Sequence, residues 1–409
     1  MNKIEAVLEF ESRKSFEFFW NEAVADADKT SYGLIRDRAP SSNNLASIAS
    51  VGFGLTAIII GVERTWISYK EGHERALGTL NTLINSLEHV GGFLYHFIDI
   101  NTSKRAYTSE ISIIDTAIAL CGAITVGEYF GGEVKDKAIE FYKRIDWEWF
   151  RDKNRNQFYM SYSIERGFCG WWDFYAEQLM LYFLSAASPT YPTNPKMFYN
   201  FKRHFNSYKS SQRFIHSWFG SLFTHQFTHG WFDFRNTKDN EGVDWWNNSV
   251  VATKVNRQFC IDLSNKFNTF DYNSWGLTAC DGPWVYNGKY GCEPSSLKND
   301  EHYTDGTVSP CAAIGSIVFT PELSIEALTN YYENHPKLIG RYGLKDAFNT
   351  QLGISWYDND VIGIDKGIGL VMIENYRTGL VWDVFMKNKY VKLGLQKVGI
   401  TKNSNKAVS

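Results

Sequence analysis

Glu177 stands where an aromatic loop, Gly167-Phe-Cys-Gly-Trp-Trp-Asp-Phe-Tyr-Ala-Glu, runs into an apolar stretch from Leu179 to Ala187 that Ser188-Pro189 brings to a stop. The stretch reads as a buried helix. A carboxyl at its mouth, flanked by Trp171, Trp172 and Tyr175, loses hydration, which disfavours the charged form and lifts its pKa toward that of a general acid at neutral pH. The same residue also reads as a first-turn carboxylate held by the helix dipole. Three further loops set an acid among glycine and aromatic residues: Trp275-Gly-Leu-Thr-Ala-Cys-Asp281-Gly-Pro-Trp284, Tyr303-Thr-Asp305-Gly-Thr and Ile362-Gly-Ile-Asp365-Lys-Gly-Ile. An Asp in such company is first of all a turn residue. Three such loops in a chain with 14 Trp also suit cleavage of a glycosidic bond. That reaction takes two carboxyls across the bond, one protonated and one ionised, spaced for a water when configuration inverts.

Other polar residues are candidates to line the same cleft. His225 and His229 have the four-residue spacing of a metal pair, but no Glu lies between them and Gly230 weakens a helix there. Hydrogen bonding to substrate or core packing fits them better, and no metal or cofactor is expected. Trp231 and Asp233 follow directly. With Trp172, Tyr175, Trp275, Asp281, Trp284 and Asp305 they form a set of candidate substrate contacts, because Trp and Tyr offer flat apolar faces with a polar edge on which sugar rings pack. Ser109 is placed to cap a helix opening with Glu110, and Asp115 faces another side of it. With His96, Asp99 and Arg105 just upstream, this region suits a sugar subsite. Arg36, Asp37 and Arg38 read as a subsite or as a solvated turn. Glu374-Asn-Tyr-Arg interrupts an apolar helix, as a cleft-facing group or a buried pair would.

Helices are expected over 4–24, 45–66, 74–87, 110–126, 134–145, 179–187, 247–262, 310–319, 322–334 and 370–387, with 93–99 a short strand or hairpin arm. Gly52 and Gly54 permit a close neighbour. Few strands and no linker imply one all-α domain over 1–400 and a flexible tail over 401–409. About a dozen helices in successive hairpins can close into inner and outer layers, with the loops of one end forming a cleft. Lys and Arg number 42 against 45 Asp and Glu, so the charge points to no nucleic acid and no anionic membrane, and the expected ligand is neutral. Six cysteines without a Cys-x-x-Cys pair predict neither a zinc site nor a required disulfide framework. Ile58-Ile-Ile60 lies in a run too short to span a bilayer. The N-terminus lacks a secretory pattern, as in a cytoplasmic protein or a mature or trimmed form of an exported one.

Taken in order, these segments resemble the bacterial glucoamylase-like family that includes endo-β-1,2-glucanases. The similar stretches are Val51-Gly-Phe-Gly-Leu-Thr-Ala, Gly92-Phe-Leu-Tyr-His-Phe, Ser109-Glu-Ile-Ser-Ile-Ile-Asp-Thr-Ala, Ala186-Ala-Ser-Pro-Thr, His225-Gln-Phe-Thr-His-Gly-Trp-Phe-Asp-Phe-Arg, Trp275-Gly-Leu-Thr-Ala-Cys-Asp-Gly-Pro, Asp305-Gly-Thr, and Ile362-Gly-Ile-Asp-Lys-Gly through Met372-Ile-Glu-Asn-Tyr-Arg-Thr-Gly-Leu. The resemblance implies an (α/α)6 toroid and an inverting, metal-free glycoside hydrolase of β-1,2-linked glucan; the expected partner is a neutral polysaccharide or oligosaccharide, and the expected state a monomer. It implies Glu177 as the acid and Asp365 as the base. The chain departs from the family pattern at the acid, where Tyr-Asn-Glu-Ala is usual and Tyr175-Ala-Glu-Gln178 stands here. The alternatives are a transglycosylase or exo-acting glucosidase on another β-glucan, and a non-catalytic carbohydrate-binding toroid. Against the last stands the presence of both Glu177 and Asp365.

Overall fold

Helices that are apolar on every side alternate along the chain with helices that carry a single apolar stripe. The computed structural model describes residues 3–402 except 43, 352 and 354. Among the described residues there are thirteen α-helices: α1 (Lys3–Asn21), α2 (Ile48–Glu63), α3 (Tyr69–Asn81), α4 (Ile113–Phe130), α5 (Gly132–Arg144), α6 (Leu179–Ala186), α7 (Phe227–Trp231), α8 (Trp245–Asp262), α9 (Pro310–Ile314), α10 (Pro321–Asn334), α11 (Gly363–Arg377), α12 (Leu380–Phe385) and α13 (Lys389–Val398). All eight residues of α6 are buried, as is α2 from Ile48 to Gly61. So are Ile113–Gly127 of α4 and Gly363–Asn375 of α11, apart from Ile114 and Ile364. A helix apolar all round has to lie inside. By contrast α3, α5 and α13 bury one stripe each, in α5 Val134, Ala138, Phe141 and Tyr142 at steps of three and four.

The inner helices pack on one another and each takes cover from a striped one: α2 lies against α4 and α11, α3 against α2, α5 against α4, and α13 against α6. The crossing of α2 on α4 is close. A Cβ on Gly122 would come within 2.1 Å of the Gly52 carbonyl oxygen, and one on Gly52 within 2.4 Å of that of Ile118. α4 is long and apolar enough by composition to cross a membrane, but it is buried here among other helices.

Two expected helices change. The one expected over 310–319 is the short α9, broken at Gly315. The one expected over 370–387 is two, α11 and α12, separated at Gly379, which adopts φ +74°. α11 begins earlier than expected, so Asp365 stands in its first turn rather than in a loop. The expected hairpin arm at 93–99 is present as Phe93–Leu94 and Phe97–Asp99. The antiparallel pair Gln157–Ser163 and Gly167–Trp171 has no counterpart in the sequence reading. At the C-terminus, Thr401 and Lys402 pair with Lys238 and Thr237, and residues 403–409 of the expected tail lie outside the described residues.

Candidate active site

The segments that lead into the inner helices are tied together by backbone hydrogen bonds, and this gathers their side chains at one end of the molecule. Arg38–Ala39 pairs with Val361–Ile362 before α11, and Leu45–Ser47 before α2 pairs with Phe97–Asp99. Three single bonds complete the stitching: Gly363 N–H donates to the Asp37 carbonyl (2.7 Å), Ile48 N–H to that of His96 (3.1 Å), and His96 N–H to that of Glu110 (2.9 Å). Ser47 and Ser112 cap α2 and α4 by accepting from Ser50 and Asp115 N–H. Asp37, Arg38, His96, Glu110, Asp115 and Asp365 are therefore neighbours although more than 300 residues separate the first from the last.

Glu177 lies in the turn immediately before α6. Burial lifts its carboxyl to about 7 against the pull of its own backbone N–H, and the charge of Asp115 adds to the rise. Gln178, fully buried, clamps this turn from within: its Oε1 accepts from Ala176 N–H (2.7 Å) and its Nε2 donates to the Phe174 carbonyl (2.8 Å). Asp115 also faces His96, whose Nε2 is 3.7 Å from Asp115 Oδ1 and whose Nδ1 is 3.0 Å from Glu110 Oε1. Burial alone would discharge the ring, yet Asp115 and Glu110 lift it to about 9, so it is an imidazolium at neutral pH.

Asp365 is 6% exposed. Burial raises its carboxyl to about 6 although the neighbouring Asp346 side chain and the Cys311 thiol hold it down, and Asp281 and Asp37 add to the rise. The Cys311 thiol donates to Oδ1 at 3.1 Å. Beside it is a dense group of acids. Oxygens of Asp281, Asp346 and Asp358 lie within 4.8 Å of one another, near enough for one cation to bridge. Arg38 already supplies positive charge there, with Nη1 2.7 Å from Asp281 Oδ2 and 3.6 Å from Asp360 Oδ2, and Nε 3.3 Å from Asp37 Oδ2. Burial and the hydrogen bond to Asp281 raise Asp358 to about 7. Above the group, a hairpin sets Tyr286 opposite Asp281 and carries Trp284, 86% exposed, at its tip.

The structure thus brings Asp37, Arg38, His96, Glu110, Asp115, Glu177, Asp281 and Asp365 together. Trp284 stands over this group on the hairpin, and the remaining expected contacts lie elsewhere. Trp231 and Trp275 are fully enclosed, and the Trp231 indole donates to Thr56 Oγ1 at 3.0 Å. His229 sits among Phe234, Trp246 and Phe319 with Nε2 on Ser249 Oγ (3.0 Å), and burial pushes it down to about 3, so core packing accounts for it. His225 bonds to the Tyr175 hydroxyl (3.2 Å) and is buried beneath the acid turn, as are Tyr175 and Trp172. Asp99 accepts from Asn101 and Thr102 N–H in an exposed turn, and Asp305 holds its loop through Tyr290 and Thr307. Asp233 pairs with Arg235 in a separate groove beside Trp382. Glu374, at the far end of α11 from Asp365, forms a buried pair with Arg64 at 2.8 Å. Asp346, Cys311, Asp358, Asp360 and Gln178 were not legible as site residues, although the acids of Asp358-Asn-Asp360 just before the Ile362-Gly-Ile-Asp365 loop were a signal.

A helix-rich scaffold with a neutral-range Glu and a buried Asp, joined through Asp115 and Asp37 in one group of charged side chains, has the make-up of the acid/base glycosidase class. The chain belongs to the glucoamylase family described as Glycoamylase, whose family model matches residues 171–389. It is similar over 98% of its length to the endo-β-1,2-glucanase of Chitinophaga pinensis, solved as a complex with sophorotriose and glucose, at 26% identity, TM-score 0.86 and 99% coverage of that chain. It is likewise similar to the β-1,2-glucanase of Parabacteroides distasonis, at 25% identity and TM-score 0.86, with 98% of this chain and 60% of that one covered. The curated exo β-1,2-glucooligosaccharide sophorohydrolase (non-reducing end) of Parabacteroides distasonis is 28% identical over 96% of this chain, which spans 58% of that relative's length.

Proposed function

We propose that the protein hydrolyses β-1,2-linked glucan or its oligosaccharides with inversion, on an (α/α)6 toroid whose inner-helix N-termini floor the cleft. Glu177, protonated, delivers its proton to the leaving glycosidic oxygen. Asp365, ionised, takes a proton from the attacking water on the opposite face of the sugar. The observation that carries this reading is the setting of the two carboxyls: Glu177 stands in the turn before α6 beside Asp115, dehydrated enough to hold a proton near neutral pH, while Asp365 in the first turn of α11 accepts the Cys311 thiol hydrogen at 3.1 Å and is favoured as an anion by the helix dipole. The β-1,2 linkage is supported by the relatives, whose names specify it. Incubation with linear β-1,2-glucan, laminarin, cellulose and starch oligomers, with products sized over time and their anomers resolved by NMR, tests it. Short β-1,2-oligosaccharides released first as the α-anomer are expected. A retained β-anomer removes the inverting assignment, and cleavage of the other glucans alone removes the linkage. A ladder of sizes marks endo action, and a single disaccharide marks exo action.

A further inference from the structure

Behind the proposed base lies a second carboxyl that the acid/base scheme does not use. Asp346 is 3% exposed, and it lines one small cavity of about 20 Å³ together with Asp365 and Cys311. One oxygen of each carboxyl is spoken for: Asp346 Oδ2 accepts from Asp281 N–H at 2.8 Å, and Asp365 Oδ1 accepts from the Cys311 thiol. The remaining oxygens, Asp346 Oδ1 and Asp365 Oδ2, are buried and have no other hydrogen-bond donor. The two side chains are within hydrogen-bonding reach of each other. Two carboxylates cannot bond to one another, so the contact needs a hydrogen on one of them.

We propose that Asp346 carries that hydrogen and donates it to Asp365, acting as a positioning residue that fixes the orientation of the base and keeps it ionised. Two features choose the donor. Asp365 stands in the first turn of α11, where the helix dipole favours an anion, and it also receives the thiol hydrogen. Asp346 belongs to no helix and lies between two other acids, Asp281 and Asp365, whose charges, added to its burial, hold its proton on well above the usual carboxylate range. The neighbouring charged groups are Arg38, Asp37 and Asp358 and, lining the same cavity, Glu11, Lys345 and Lys366; the guanidinium is spent on Asp37, Asp281 and Asp360, the Lys366 ammonium on Glu11, and that of Lys345 on the Lys337 carbonyl.

This inference rests on Asp365 being the base, and the test separates the two. An amide at position 346 offers the same pair of bonds as a protonated acid: its oxygen accepts from Asp281 N–H and its NH2 donates to Asp365. With β-1,2-glucan oligosaccharides as substrate, Asp346→Asn is expected to keep kcat within about tenfold of wild type. Asp346→Ala is expected to lower kcat by about a hundredfold or more at little change in KM, the size of loss that follows from a misplaced catalytic group. Asp365→Asn is expected to be inactive. Equal loss in folded Asp346→Asn and Asp346→Ala overturns the proposal, since the negative charge itself would then be what matters. Wild-type activity in Asp346→Ala overturns it too. An active Asp365→Asn instead removes the base assignment itself. Should Asp346→Ala fail to fold, Asp346→Asn against wild type decides alone, and an Asp346→Asn chain that also fails to fold counts against the proposal, because the amide meets both bonds.

Discussion

The proposed scheme needs Glu177 and Asp365 in opposite protonation states at the same pH, although both are carboxyls. Dehydration raises both, but Asp365 is held lower by the hydrogens it accepts while Glu177 has only its own backbone N–H. The dependence of kcat/KM on pH is therefore expected to be bell-shaped, rising through about 6 as Asp365 ionises and falling above about 7 as Glu177 loses its proton. Glu177→Gln should lower kcat by about a hundredfold or more while leaving oligosaccharide binding by calorimetry in place. The same substitution has a signature in stability. A Glu whose folded pKa is raised from 4.5 to about 7 contributes stability that is fully present below about 4.5 and lost as pH rises through about 7. The Tm of Glu177→Gln should thus gain on wild type as pH is raised from 4.5 to just above 7, and a constant difference would mean that the carboxyl is not dehydrated.

At the scale of elements, the acid is only as well placed as the turn that holds it. Where the family pattern has Asn before the proposed acid and Ala after it, this chain has Ala176 and Gln178, and Gln178 satisfies one buried and one half-buried backbone group of the turn. Gln178→Ala leaves both without a partner and should cost about 1–3 kcal/mol in urea unfolding. It should also lower kcat more than it raises KM, because Glu177 loses its register with the leaving oxygen. The α2–α4 crossing is the second sensitive element. The atom that a Gly122→Ala methyl meets is the carbonyl oxygen of Gly52, which no rotamer change can move, so the helices must part. A loss of about 1–3 kcal/mol or more is expected by the same measurement, with the mouth of the cleft, built on the first turns of α2 and α4, disturbed as well.

For the whole molecule, the charge of the cleft is offset only in part. Arg38 and the imidazolium of His96 sit inside a group of acids, and the chain as a whole carries only −3. A neutral sugar approaching such a site is not steered, so kcat/KM should stay flat as salt rises to about 0.5 M, where unburied charge effects are screened out. A steep salt dependence would point to a charged ligand. The residue pattern by itself determined the helical class, the fully apolar helices that must lie inside, Gly52 as a point of close approach, and Glu177 as a carboxyl in a dehydrating aromatic setting. Each of these is a local property, set by periodicity or by immediate neighbours. The sequence could not tell which aromatic and polar residues face the cleft. His229 and Trp231 share a motif with the half-buried Asp233, and only packing decides that the first two are core. Nor could it join Asp346 and Cys311 to Asp365. Their contact arises because α9, α11 and the loop between them meet at one end of the fold, through bonds such as Ser309 Oγ to the Asp346 carbonyl at 2.8 Å. What burial does to a carboxyl depends on the groups that tertiary structure brings around it, and those come from positions far apart in the chain.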